Sequence, residues 1–240
     1  MLIEVCIDNI ESLKTAIKAG AERIELCSAL ALGGLTPSLG LIREAVKRSS
    51  VPVYVMIRPR EGDFVFNDIE VEMMKDEITT YKSMGVDGVV VGALYADGTI
   101  NTHALSLWTK AADGIGVTFH RAFDLVKESN LALETLIEYQ VERVLTSGLN
   151  ESAELGIPVI ERLVSQADGR ISIMAGAGVN AQNARFIAQT GVQELHLSGK
   201  TQRQSLMASQ TDVSMGSESC ENTITVTDYD KVNMVVREFK

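Results

Sequence analysis

Cys6, Glu25, Cys27, Arg58, Arg60, His120 and His196 are the residues of this chain whose types could do chemistry together. Each falls on the polar parity of a short apolar run or just beyond it. In residues 2–7, Ile3, Val5 and Ile7 alternate with Leu2, Glu4 and Cys6; in 23–27, Ile24 and Leu26 alternate with Arg23, Glu25 and Cys27. Residues 53–58, 117–120 and 194–198 repeat the pattern, with Met56 and Arg58, Thr118 and His120, and His196 and Ser198 on the polar side. Side chains alternate across a strand, so these runs specify one apolar face and one face of acids, thiols, arginine and histidine. Ordinary half-exposed strands carry Lys, Thr and Ser there. This set reads as a converging site.

Two chemistries suit it. The first is acid–base work on a small anion. A buried carboxyl such as Glu25 is tuned toward neutral pH and His120 can shuttle a proton, with Asp124 as a third catalytic candidate. Arg58 and Arg60, separated by Pro59, offer forks for carboxylate or phosphate. Arg121, Ser147 and Ser198 add donors at the strand ends. Gly176 and Gly178 would let backbone amides approach an anion before a helix opening near Asn180. The second chemistry is soft-metal binding, in which Cys6, Cys27 and His196, with Met56 and Met174, make a thiolate, imidazole and thioether set suited to Cu(I). Their spacing is neither Cys-x-x-Cys nor a compact His cluster. Plainer roles compete: free cysteines and methionines fill cores, and Glu4 and Glu25 can pair with Arg23 and Arg58 as interior ion pairs without catalysis.

The elements that must position these groups alternate from the first residue. Strands are predicted over 2–7, 23–27, 53–58, 88–92, 117–120, 143–146, 171–175 and 194–197. Helices follow each, among them one capped by Asn9 and ended by Gly20, one with Pro158 in its first turn, one over 181–189 and a last one over 229–239. Eight strand–helix units in 240 residues fit a single α/β domain, a (β/α)₈ TIM barrel with parallel strands. An open doubly wound sheet is the alternative, but its strands would be apolar on both faces. Residues 201–227 break the rhythm. They are polar, include Met207, Met215 and Cys220, and are expected to form a long loop, either a lid over the strand ends or a mobile surface segment.

Composition bounds the function. A net charge of −10 argues against nucleic acid and anionic membranes as partners. No apolar stretch approaches a membrane span, and the first residues lack a signal-peptide pattern. Three cysteines without scaffold spacing point to a reducing compartment, so a cytoplasmic location is expected. The expected partner is a small anionic ligand or a copper ion, without an organic cofactor, and a homodimer is compatible with this reading.

Four strings resemble the CutC family, named for copper homeostasis. They are Arg-Ile-Glu-Leu-Cys at 23–27 with Gly-Gly-Leu-Thr-Pro-Ser at 33–38; Met-Ile-Arg-Pro-Arg-x-Gly-Asp-Phe at 56–64; Thr-Phe-His-Arg-Ala-Phe-Asp at 118–124; and Leu-Thr-Ser-Gly at 145–148 with Met-Ala-Gly-Ala-Gly-Val at 174–179. The resemblance implies a (β/α)₈ barrel, a cytoplasmic location and an association with copper handling, but no established reaction. It implies site residues Glu25, Cys27, Arg58, Arg60, His120, Arg121, Asp124, Ser147, Gly176 and His196. Two departures stand out: Ile7 follows Cys6 where some members carry a second cysteine, and Gly199-Lys200 adds a cation beside the site. Three functions stay open: copper handling with Cu(I) bound, an acid–base enzyme acting on a small phosphorylated or carboxylated metabolite, and a non-catalytic metabolite or metal sensor.

Overall fold

A computed structural model describes residues 1–208 and 221–240. Eight parallel strands, β1 (Leu2–Ile7), β2 (Arg23–Leu26), β3 (Val53–Met56), β4 (Gly88–Val91), β5 (Gly116–Phe119), β6 (Arg143–Thr146), β7 (Ser172–Ala175) and β8 (Glu194–Leu197), close in sequence order into a barrel. The ring seals where Glu4 of β1 stands opposite His196 of β8. Helices α1 (Ile10–Ala19), α2 (Leu39–Arg48), α3 (Asp68–Ser83), α4 (Thr102–Ala111), α5 (Ser129–Glu138), α6 (Ile157–Ala167) and α7 (Ala184–Ala188) lie between the strands. Among the described residues, no helix is long and apolar enough to cross a membrane.

Alternation decides what faces where. Ile3, Val5, Ile24, Leu26, Val55, Val89, Phe119, Ile173 and Leu195 join the helices in one apolar core outside the barrel. The other parity turns inward. Near the N-terminal end it makes a floor in which Arg23 pairs with Glu4 and Glu194, and Arg143 pairs with Glu194 at 3.0 Å and with Glu142. Between the two guanidiniums lies the Tyr54 ring, 5.1 Å from Arg23 and 4.8 Å from Arg143. Glycine is required beside that ring: a Cβ on Gly88 would stand 2.1 Å from Tyr54 Cε1, and one on Gly116 2.0 Å from its oxygen. Of the expected interior ion pairs, Glu4–Arg23 forms and extends to Glu194 on β8 and to Arg143 on β6, whose register alternation leaves open. Arg58 instead donates to backbone carbonyls and pairs with no acid.

Local caps explain the boundaries. Asn9 accepts the Ser12 N–H at 2.8 Å, Gly20 ends α1 in the left-handed region, and Asn67 with Glu70 forms a capping box on α3. The helix expected over 181–189 shortens to α7. Asn183 accepts the Asn180 N–H and Asn180 the Gln182 N–H, both at 2.9 Å, so side chains satisfy the backbone in a turn instead.

The largest correction concerns 201–227. It is not one long loop: β9 (Lys200–Gln204) and β10 (Thr223–Thr227) pair antiparallel, and α8 (Tyr229–Arg237) follows. The alternating β-branched run Thr-Ile-Thr-Val-Thr was the available signal. This hairpin is fixed to α1 by Arg203 on Glu11 (2.8 Å) and by the Thr227 N–H on Ser12 Oγ (2.9 Å). Residues 209–220, with Met215 and Cys220, lie outside the described residues, and so does that part of the lid reading.

Candidate functional site

The inward residues at the C-terminal ends of the strands surround a cavity of about 220 Å³. That is below the ~300–1,000 Å³ usual for drug-sized ligands, so its natural occupant is small. Seven of the sequence-predicted residues line it: Cys6, Glu25, Arg58, His120, Arg121, His196 and Ser198. Leu30, Gly33, Met56, Phe64, Leu145 and Lys200 complete the wall.

Arg58 leaves β3 and is buried. Its Nη1 donates to the Leu32 and Gly34 carbonyls at 2.9 and 3.1 Å, and its Nη2 to the Gly62 carbonyl at 3.0 Å. The guanidinium also rests on Phe64, 4.9 Å from the ring centre. Three backbone carbonyls therefore aim it, and its Nε–H stays without a partner. Phe64 also packs against His120 at 4.8 Å between ring centres, so one aromatic positions both side chains. His120 fits only because β4 is followed by glycine, since a Cβ on Gly92 would lie 2.3 Å from its Cε1.

The imidazole of His120 is neutral. Burial, and then the charge of Arg58, push its pKa down to about 3. Its Nδ1 accepts the Ala122 N–H at 3.1 Å, which places the proton on Nε2, and that buried N–H has no partner. Glu25 is the complement. Burial raises its pKa, Cys27 Sγ donates to its Oε2 at 3.5 Å, and its Oε1 is unpartnered. Among the described residues, Glu25 Oε1, Arg58 Nε and His120 Nε2 are the three buried side-chain nitrogen or oxygen atoms without a hydrogen bond. All three belong to the wall of this cavity.

A second grouping shares Glu25. Ligand atoms of Cys6, Glu25 and His196 lie within 4.8 Å of one another, all buried. His196 Nδ1 meets Glu4 Oε1 at 2.7 Å. Burial works against its charge, but Cys6, Glu25 and Glu4 outweigh burial and hold its pKa well above the usual value. Burial would raise Glu4, but the hydrogen bond from His196 and the charge of Arg23 bring it down to about 2. The two form a buried ion pair under the cavity.

The remaining predicted residues stand outside the cavity wall. Asp124 accepts from Thr146 Oγ1 (2.5 Å), Ser147 Oγ (2.9 Å), the N–H groups of Ser147 (3.0 Å) and Leu149 (3.2 Å), and Arg121 Nε (2.7 Å). These bonds hold the turn after β6 and orient Arg121, with Ser147 consumed in the same network. Arg60 clamps its own loop, with Nε on Glu70 at 2.7 Å and Nη2 on Asp63 at 3.1 Å. Gly176 packs where a Cβ would come within 2.6 Å of Leu145. The Gly178 carbonyl accepts from Asn180 and Asn183 at 2.9 and 3.0 Å. Cys27 is fully buried, and burial with the nearby Glu25 charge keeps it a thiol. Phe64 was the residue not singled out. Its signal was an aromatic following Gly62-Asp63 in the loop after β3, which also holds a second aromatic, Phe66.

Residues 1–201 match the CutC family. The chain belongs to the CutC family. A CutC family protein of Glaesserella parasuis is 49% identical over 238 residues, covering 99% of this chain and 98% of the relative. One from Vibrio parahaemolyticus is 57% identical over 209 residues, covering 85% and 84%. A solved CutC structure from Streptococcus agalactiae superposes with a TM-score of 0.78 at 37% identity, over 82% of this chain and 97% of that one. The deoxyribose phosphate aldolase of Aeropyrum pernix, at 14% identity and a TM-score of 0.61 over 82% of this chain and 85% of that one, shares the barrel fold alone.

Proposed function

We propose that this CutC family barrel is an enzyme that moves a proton at a carbon next to a carbonyl in a small carboxylated metabolite. The observation that carries it is the convergence of three unpartnered buried atoms, one acid oxygen and two N–H donors, on one cavity. Unpaired buried polar groups are costly in a folded protein, and a ligand that pairs all three recovers that cost. Arg58 anchors the carboxylate. Glu25, as carboxylate, takes the proton from the substrate C–H; the C–H electron pair moves into the carbonyl, whose oxygen gains charge; His120 Nε2–H donates to that oxygen. A neutral imidazole serves as well as a charged one there, because it keeps its proton. Return of the proton from Glu25 to carbon completes the cycle. Carboxylate is favoured over phosphate because the Gly176–Gly178 backbone lies away from the cavity wall, while Arg58, Arg121 and Lys200 supply cationic side chains. Exchange of substrate C–H for deuterium in D₂O, followed by NMR across a panel of 2-oxo acids, tests the reading. The wild type should exchange at least one acid and Glu25→Gln none; exchange that persists in Glu25→Gln removes Glu25 from the role.

The second reading is metal handling, favoured by the Cys6, Glu25 and His196 grouping. The Streptococcus agalactiae relative is described as a copper homeostasis protein. One thiol beside a carboxylate and an imidazole matches a borderline divalent ion better than Cu(I), which prefers several sulfur ligands. His196 would also have to release the proton on Nε2. The buried free thiols Cys6 and Cys27 support a reducing compartment, the cytoplasm, under either reading.

A further inference from the structure

Beside the central cavity lies a second one of about 380 Å³, and Leu30 and Lys200 line both. Its walls come from the turn after β2 and from the β9–β10 hairpin. Gln202 and Thr225, opposite each other across the two strands, face it together. From these walls we infer that the substrate proposed above has a neutral, hydroxylated tail, which leaves the barrel between Leu30 and Lys200 and lies against the hairpin. This inference rests on the carboxylate reading and adds to it a second binding site and a substrate class, sugar-acid-like.

The chemistry of the walls separates the two chambers. The inner one holds the cations Arg58 and Arg121 besides the shared Lys200; in the outer one Asp8 offsets Lys200, so its wall has no excess charge to hold a second anion. Asp8 Oδ1 accepts from Asn9 at 2.9 Å and its Oδ2 from the Leu30 N–H at 3.4 Å, which leaves acceptor capacity for hydroxyl donors. The Thr201 and Thr225 hydroxyls and the Gln202 amide can both donate and accept, while Ala29, Leu30 and Ala31 give an apolar strip for C–H faces. Ala29 is held at φ 47° and ψ 53°, a left-handed conformation uncommon for a residue with a side chain, of a kind that clusters at ligand clamps. Linked through Leu30 and Lys200, the two chambers reach the volume typical of metabolite pockets.

Calorimetric titration of the full chain with hydroxypyruvate and 2-ketogluconate, which share the 2-oxo acid head proposed above but differ in hydroxylated length, tests the inference. On the wild type, 2-ketogluconate is expected to bind at least ~10-fold tighter than hydroxypyruvate, equivalent to about 1.4 kcal/mol. In Gln202→Trp, an exposed hairpin position outside the inner chamber, that advantage should vanish while hydroxypyruvate affinity stays within about twofold of wild type. Equal affinity of the two acids for the wild type, or an advantage that survives Gln202→Trp, overturns the tail site and leaves the inner cavity reading standing. Failure of both acids to bind the wild type overturns the carboxylate reading and the tail site with it.

Discussion

His196 is held by Glu4 rather than by Glu25: its Nδ1 lies 2.7 Å from Glu4 Oε1, whereas its Nε2 stays 3.8 Å from Glu25 Oε2. One carboxylate is thereby committed to structure and the other is left for chemistry. Glu4 also pairs with Arg23 and sits wholly out of solvent, so it serves as the hub of the barrel floor. Glu25, one layer higher, keeps an oxygen free toward the cavity.

This division sets the pH dependence of stability. Glu4 has a folded pKa below its unfolded 4.5, so its contribution is complete above pH 4.5 and is lost as pH falls toward about 2. His196 has a folded pKa above its unfolded 6.5, so its contribution is complete below pH 6.5 and fades as pH rises through the folded value. Both are at full strength between those limits. Glu4→Ala should lose about 3–5 kcal/mol there, the usual cost of stranding a buried partner, and should show a flatter acid limb. Urea unfolding at a series of pH values measures both, and an unchanged acid limb would exclude Glu4 as the hub.

Glu25→Gln should behave in the opposite way. Burial raises the Glu25 pKa, so its ionised form opposes folding at neutral pH. The amide removes that opposition. The variant should melt at or above the wild-type temperature, with each kcal/mol gained worth ~2–4 °C for a chain of this size, while it loses proton exchange. A melting temperature several degrees lower would mean that Glu25 is a structural residue.

Gly92→Ala probes His120 without removing a functional group. The new Cβ would meet the imidazole at 2.3 Å from Cε1, so the ring must move. Overpacking of this kind costs about 1–3 kcal/mol. A displacement near 1 Å at a reacting group lowers rates on the order of 100-fold. The deuterium exchange rate should fall by that factor in a variant that still folds by circular dichroism; a rate within threefold of wild type would place His120 outside the reaction. In the wild type, the exchange rate should fall as pH drops through the raised Glu25 pKa and show no second ionisation from His120, which stays neutral down to about pH 3.

The barrel was legible because period-two alternation fixes which side chains face inward, and that rule alone gathers Cys6, Glu25, Arg58, His120, His196 and Ser198 around one cavity. It stops at the strand ends. Asp124, Ser147 and Arg60 follow the strands closely, but loop geometry turns them to their own backbone and to one another. Val-rich β4 and the short β6 carry no alternation strong enough to set register, so Arg143 could not be placed in the floor before its partners were known. Gly176 and Gly178 illustrate the limit of a motif: glycine permits an anion cradle and equally permits tight packing, and only the position of the cavity separates the two.

The two cysteines of the interior are distinguished by their neighbours, and a Cu(I) titration can exploit that. Cys6 stands in the grouping with Glu25 and His196, at the edge of the cavity. Cys27 is wholly buried, its thiol donates to Glu25 at 3.5 Å, and burial with the adjacent carboxylate opposes the thiolate that a metal needs. A Cβ on Gly34 would lie 3.1 Å from its sulfur, so the loop backbone packs directly over it. In competition against a Cu(I) chelator, Cys27→Ser should therefore match the wild type within about twofold, whereas Cys6→Ser should weaken any binding by ~10-fold or more, the size expected for loss of one charge-bearing ligand worth at least about 1.4 kcal/mol. The reverse ranking would mean that the sulfur under the loop is the ligand, that the loop opens to admit the ion, and that the metal site and the acid–base site are separate.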